Sequence, residues 1–128
     1  GAPEAYISMG LTAENLATKY NISRLEQDEF AAASHAKALE AMAKGLFKDE
    51  IIPVNAYTKD GKSALIDIDE GPRAGTTAEK LGGLKPVFRA DGSVTAGNSS
   101  PLTDGASATL LMSADRAKTL GIKPKSMP

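Results

Sequence analysis

Val94-Thr95-Ala96-Gly97-Asn98-Ser99-Ser100-Pro101-Leu102-Thr103-Asp104-Gly105-Ala106 places a polar loop between two stretches of strand-forming residues. Asp91-Gly92 is a turn signal, and Ser93 to Ala96 reads as the strand that follows it. Gly97-Asn98-Ser99-Ser100-Pro101 is a tight polar loop. Its Asn and Ser side chains can satisfy neighbouring backbone groups, and Pro101 lacks an N–H for any ladder. Asp104 and Gly105 read as structural, with Gly105 fitting a backbone conformation or close approach that a side chain would block. Ala106 to Met112 is apolar throughout and reads as a buried strand. Ser113 caps a last helix through Leu120, closed by Gly121, and Ile122 to Pro128 reads as a linker that expects more chain.

Toward the N-terminus, Thr12 is positioned to cap a helix, with Glu14 in its first turn and Leu11, Leu16, Ala17 and Tyr20 on its apolar face. Asn21 ends that helix. Ser23-Arg24-Leu25-Glu26 is a capping box for a second helix that runs toward Lys44 and stops at Gly45. Leu25, Ala32, Ala36, Leu39, Ala43 and Leu46 recur at helical spacing and predict its buried face. The two helices read together as a helical hairpin. Glu50 to Val54 is β-prone, with Pro53 confining it to an edge or a strand end. Asp60-Gly61 turns the chain, and Ala64 to Asp69 returns, Ile66 and Ile68 on one face and Asp67 and Asp69 on the other. Such a ribbon needs helices or another chain to pack on. Glu70 to Gly75 is a loop. Thr76 and Glu79 suggest a capping box for a short helix that ends at Gly82-Gly83, and Lys85 to Phe88 is extended.

Composition bounds the chemistry. The 128 residues carry 15 Lys and Arg against 16 Asp and Glu, a net charge of −1, which argues against a nucleic-acid binder. Hydrophobic residues at 41% and charged residues at 24% suit a globular protein, with one domain and a core able to fold alone as the default at this length. With 0 Cys and 1 His, thiolate nucleophiles, disulfides, zinc fingers and a Ser-His-Asp triad have no residues to build on. The adjacent Asp69 and Glu70 read as a solvated strand end, so no metal site is expected. No apolar run reaches the ~18 residues of a membrane span. The first residues, Gly1-Ala2-Pro3-Glu4, lack an initiator Met and a signal pattern, which suggests processing or excision from something longer. A cytoplasmic home is the default, with mitochondrial and peroxisomal homes left open.

The run from Val94 to Ala106 resembles the AGN-(S/A)-S-x-x-x-DGA signature of thiolases, the acetyl-CoA acyltransferases. Four further segments resemble the same family in the same order. Ser8 to Asn15 is similar to its MG-x-TAEN segment and Ile22 to Phe30 to its ISR-x-EQD-x-(F/Y) segment. Asp69 to Arg73 is similar to DE-x-x-R, and Leu84 to Phe88 to L-(K/R)-P-x-F. The resemblance implies an α/β, thiolase-like fold of which this chain is an internal fragment. Residues 1–92 would be the loop domain, a helical hairpin with a β-ribbon that holds coenzyme A and contributes oligomer contacts. Residues 93–128 would be the last strand and helix of the N-terminal thiolase half. The nucleophilic Cys is then expected before residue 1, and the N-E-A-F Asn, the G-H-P His and the second Cys after residue 128. No catalytic residue is expected in this chain, which alone should be inactive.

What the resemblance assigns here is binding of coenzyme A, as substrate, with no cofactor. Arg73 matches an arginine at the nucleotide end; read alone, it is an ordinary solvated arginine. Ser100 matches a serine by the pantetheine arm, with Ala96 lining the same channel; read alone, Asn98, Ser99 and Ser100 satisfy their own turn. Met9 matches a residue at the acyl end, and Leu84 and Phe88 match apolar residues flanking adenine and pantetheine; each also reads as core. Ser8 stands where some short-chain relatives carry His. Lys80 stands where some carry Ser, and can contact phosphate or point to water. The expected partners are coenzyme A and acyl-CoA, with a homo-oligomer (dimer or tetramer) for the parent enzyme and neither nucleic acid nor membrane. The expected function is acyl transfer between 3-ketoacyl-CoA or acyl-CoA and coenzyme A by that parent. The alternative is a stand-alone, non-catalytic coenzyme A-binding or oligomerisation module.

Overall fold

Ser8, not Thr12, begins the first long helix. In the computed structural model, which describes residues 3–125, a 3-10 turn at Pro3–Tyr6 leads into helix α1, Met9–Tyr20. The Ser8 hydroxyl accepts the N–H of Leu11, while the Thr12 hydroxyl donates back to the Ser8 carbonyl one turn inside the helix. Asn21 stops α1 in the left-handed region (φ 52°), as its position predicts.

The second helix, α2, spans Arg24–Ala43 and begins with the expected capping box. Glu26 Oε2 accepts from the Ser23 N–H at 2.7 Å and from the Ser23 hydroxyl at 2.6 Å. Those two donors, the hydroxyl first, hold the Glu26 carboxyl below its ordinary value. Ser23→Ala is expected to cost about 1 kcal/mol of helix stability, read as a lower urea midpoint followed by helical circular dichroism. Gly45 (φ 68°) makes the stop beyond Lys44.

The inward faces of these helices differ from the apolar faces expected. Leu25 and Leu46 are exposed, as are Ala36 and Ala43, while Leu16 and Tyr20 of α1 also face solvent. Leu11, Ala17, Ala32 and Leu39 of the expected faces are half-buried, but the fully buried residues are Glu14 on α1 and Asp28 on α2. Counting apolar residues at helical spacing misses a face whose centre is a carboxylate. Nor do α1 and α2 pack as a hairpin. The helix that α2 packs on is α3, Ala78–Gly82, whose cap is Thr77 rather than Thr76.

The ribbon forms four residues later than expected at its start and ends three residues earlier. Strand β1 is Val54–Tyr57 and β2 is Ser63–Ile66, antiparallel, with Val54 opposite Ile66 and Tyr57 opposite Ser63. Pro53 lies just outside the ladder, as its missing N–H requires. Gly61 (φ 78°) makes the turn, and Thr58 closes it through the Lys62 carbonyl at 2.8 Å.

Beyond residue 88 two expected strands do not form. Ser93 to Ala96 makes only one backbone bond to a neighbouring extended segment, Val87 N–H to the Val94 carbonyl at 3.1 Å, and is held by side chains instead. Ala106 to Met112 is irregular and exposed: among the described residues no strand lies beside it to pair its backbone. Gly105 has an ordinary φ and open space where a Cβ would stand, so nothing there requires glycine. The last helix, α4 at Ala114–Thr119, has the predicted Ser113 cap and Gly121 stop. Of the linker expected at Ile122 to Pro128, residues 126–128 lie outside the described residues.

Leu81, Val94 and Ala117 are the buried apolar residues among those described. That falls short of the self-sufficient core expected from length, because ribbon, clasped loop and C-terminal run each keep an apolar face in solvent. No helix of the described residues is long and apolar enough to cross a membrane.

Candidate functional site

The segment from Ser93 to Ser99 is the most tightly bonded irregular stretch of the chain. Glu14 reaches it from α1. Its carboxylate accepts the Ser93 N–H at 3.0 Å, the Val94 N–H at 2.8 Å and the Ser93 hydroxyl at 3.2 Å. Asp28 reaches it from α2, accepting Arg24 Nε at 2.7 Å and Asn98 Nδ2 at 2.9 Å. Asn98 turns its Oδ1 to the Thr95 N–H at 2.7 Å, and Thr95 Oγ1 accepts from Gly97 and Asn98. Ser99 donates to the Thr95 carbonyl at 2.7 Å, and Gln27 donates to Ser93 Oγ at 2.9 Å. Thr95, at 0% exposure, is the centre of this web.

Burial alone would push the Glu14 carboxyl up. The Val94 and Ser93 N–H groups, the Ser93 hydroxyl and the nearby Arg89 guanidinium outweigh it and hold the group below its ordinary value. Arg89 itself donates to Asn15 Oδ1 at 2.5 Å.

The loop presents outward what the web does not use. Ala96 and Ser100 are exposed, and Ser100 makes no hydrogen bond among the described residues. Asn98 and Ser99 are committed to the turn, so the three polar residues of this loop divide into two that build it and one left over.

Two apolar residues of the expected set frame the loop. Leu84 closes on Gly97: a Cβ there would stand 2.5 Å from Leu84 Cδ1 and 2.6 Å from Leu81 Cδ2, so only glycine permits this approach. Arg24 fixes the turn that carries Leu84 by donating to the carbonyls of Leu81 at 2.7 Å and Leu84 at 3.0 Å. The Phe88 ring lies directly over Gly10 of α1, where any Cβ would collide with it. Met9 begins α1 beside Gly10, with its side chain in solvent. Leu84 and Phe88 each remain about two-fifths exposed (41% and 40%), so neither is core.

Arg73 stands apart on its own loop. Its N–H donates to His35 Nδ1 at 3.1 Å, and its carbonyl accepts from the Thr76 hydroxyl at 2.9 Å. Lys80 donates to the Gly75 carbonyl at 2.7 Å, so this lysine braces the loop rather than pointing to water. The Arg73 side chain is exposed and pairs with no carboxylate among the described residues. Leu84 and Ala96 are therefore gathered at one loop, Phe88 and Met9 at the start of α1, and Arg73 on a separate loop beside His35 of α2.

Two open clefts are present, the first on the Glu14–Ser93 side of the web and the second away from it. One is lined by Glu14, Thr18, Ile22, Arg89 and Asp91, the other by Met42, Phe47, Ile51, Pro53 and Ile68; none of the six expected binding residues lines either. Among the described residues no group of three or more His, Cys, Asp or Glu is placed to hold a metal. Glu14, Asp28 and Arg24 went unremarked in the sequence as site-building residues. Their signal lay in the MG-x-TAEN and ISR-x-EQD segments, where they are the polar positions.

The family model for the thiolase N-terminal domain matches residues 4–115. An acetyl-CoA acetyltransferase of Pseudomonas aeruginosa is 60% identical over 114 residues, covering 89% of this chain and 29% of that protein. Among solved structures, the Bacillus anthracis acetyl-CoA acetyltransferase superposes with a TM-score of 0.75 at 52% identity, over 92% of this chain and 30% of that one. The dimeric peroxisomal thiolase of Saccharomyces cerevisiae superposes with a TM-score of 0.62 at 49% identity, over 71% and 22% respectively. The chain thus spans under a third of each of these relatives.

Proposed function

Because the chain belongs to the thiolase family, we propose that it is the coenzyme A-holding part of a longer acyltransferase. That enzyme transfers an acyl group between 3-ketoacyl-CoA or acyl-CoA and coenzyme A. The Cys and His that carry the chemistry lie outside these residues in this reading, and the chain contributes binding energy that positions the thioester.

One observation carries the assignment: Ala96 and Ser100 are exposed on a loop whose entry, Val94 and Thr95, is buried and whose Asn98 and Ser99 are bonded back to Thr95. A surface that rigid, with a free hydroxyl at its edge, is preorganised to meet an amide of the pantetheine arm. Leu84 supplies an apolar contact beside it for the adenine and pantetheine, as does Phe88 over Gly10, and Met9 stands at the acyl end. Arg73, unpaired and on a braced loop, takes the nucleotide phosphates. The division at residues 92 and 93 into loop domain and N-terminal half belongs to the same reading, with the Glu14 clasp tying one part to the other. So do a cytoplasmic home and assembly into a homo-oligomer, for which the exposed cross-strand pair Val54 and Ile66 offers an apolar face of the ribbon.

Thiolysis of a 3-ketoacyl-CoA by the full-length protein tests this. Arg73→Ala is expected to raise KM for coenzyme A about tenfold, the scale of one lost charge-assisted contact, with a smaller fall in kcat. A fall in kcat at unchanged KM would remove Arg73 from the binding role.

A further inference from the structure

Asp28 and Glu14 are among the most buried residues described, at 1% and 3% exposure, yet neither faces the surface assigned to coenzyme A. Acidic side chains on helices ordinarily stay in water, since burying an unmatched carboxylate is costly. These two come from different helices and converge on one loop. Glu14 holds its entry, through the Ser93 and Val94 N–H groups. Asp28 holds its turn, through Asn98. No buried side-chain polar atom among the described residues is left without a partner, so the web has no slack.

We propose that Glu14 and Asp28 are positioning residues for acyl transfer, setting the placement of Ala96 and Ser100 against coenzyme A. The inference rests on the reading of that loop as the coenzyme A surface.

The direction of each hydrogen bond makes the claim specific. A carboxylate only accepts, so Asp28 obliges Asn98 to present its NH2 group there. That leaves Asn98 Oδ1 facing the Thr95 N–H, the bond that shapes the turn. Asp28→Asn keeps size but offers an NH2 where an acceptor is needed. Arg24 retains the remaining oxygen, and two NH2 groups then face each other. Asn98 escapes by flipping, which costs Thr95 its acceptor and releases the turn. Asn98→Asp cannot rescue it, because the new carboxylate oxygen would face the Ser93 carbonyl that Asn98 Nδ2 reaches at 3.0 Å. Glu14→Gln keeps one oxygen for the Ser93 and Val94 N–H groups but sets an NH2 in place of the other, 3.0 Å from the Ser93 nitrogen and where the Ser93 hydroxyl now donates.

The test is steady-state thiolysis by the full-length protein, with amide exchange read over residues 93–99 and over α2. Asp28→Asn and Glu14→Gln are expected to raise KM for coenzyme A on the order of tenfold, more than kcat falls, because a displaced binding wall weakens ground and transition states alike. Exchange should accelerate at Val94 and Thr95 and stay slow in α2. Should Asp28→Asn fail to fold, Asn98→Ala, which removes the Thr95 acceptor from the outer side, must give the same KM rise. Unchanged KM in folded variants overturns the positioning role while wild-type activity keeps the functional reading intact. Wild-type protein with no coenzyme A-dependent thiolysis overturns both.

Discussion

Asp28→Ala is expected to destabilise the protein by about 3 kcal/mol, the lower end of the cost of breaking a buried ion pair. The lower end applies because the Arg24 side chain keeps 25% of its surface exposed and can recover some hydration. The loss has two parts. Arg24 keeps its carbonyl partners at Leu81 and Leu84 but loses its counter-charge. Asn98 Nδ2 keeps only the Ser93 carbonyl at 3.0 Å. Unfolding in urea, followed at α2 and at the loop by amide exchange, gives the magnitude. A change under about 0.5 kcal/mol, the size of an ordinary surface substitution, would show that the pair is effectively solvated.

Glu14→Ala is expected to cost about 2–4 kcal/mol, since it strips the acceptor from two backbone N–H groups in or near the buried web. Its signature lies in pH. The folded carboxyl is held below the ordinary 4.5, with burial opposing and the Val94 and Ser93 donors prevailing. A carboxyl lowered on folding stabilises fully above its unfolded value and loses that contribution as pH falls through the lower folded value. Stability should therefore decline on acidification from just below 4.5, and Glu14→Gln should lose the Glu14 part of that slope. Unfolding midpoints for the two proteins between neutral pH and the acid limb measure it; parallel curves would assign the acid dependence to other carboxyls.

Local chemistry was legible in the sequence, and long-range chemistry was not. The Ser23–Glu26 capping box, the stops at Asn21, Gly45 and Gly121, and the Asp60-Gly61 turn each depend on residues within one turn of chain, and each forms as read. The Glu14 and Asp28 bonds span 80 and 70 residues, and no local pattern announces them. Periodicity placed Leu25 in the core because apolar residues usually go there. The inward positions here belong to Arg24 and Asp28 because what lies opposite is polar: the Leu81 and Leu84 carbonyls, which accept from Arg24, and the Asn98 amide, which donates to Asp28. Ala106 to Met112 shows the other limit, since a strand is a property of two neighbours. The five family-like segments carried more than composition did. Their polar members, Glu14, Arg24, Gln27, Asp28 and Asn98, build the loop, while Ala96 and Ser100 stand on its outer side.

The central claim is that these residues bind coenzyme A on behalf of a Cys and a His elsewhere in the same polypeptide. The intact mass of the native gene product, with a peptide map, tests it most directly. The expected product is several times the 13.3 kDa of these residues and yields Cys-containing and Gly-His-Pro peptides. A native product of 13.3 kDa would contradict the claim and leave a binding or assembly module in its place.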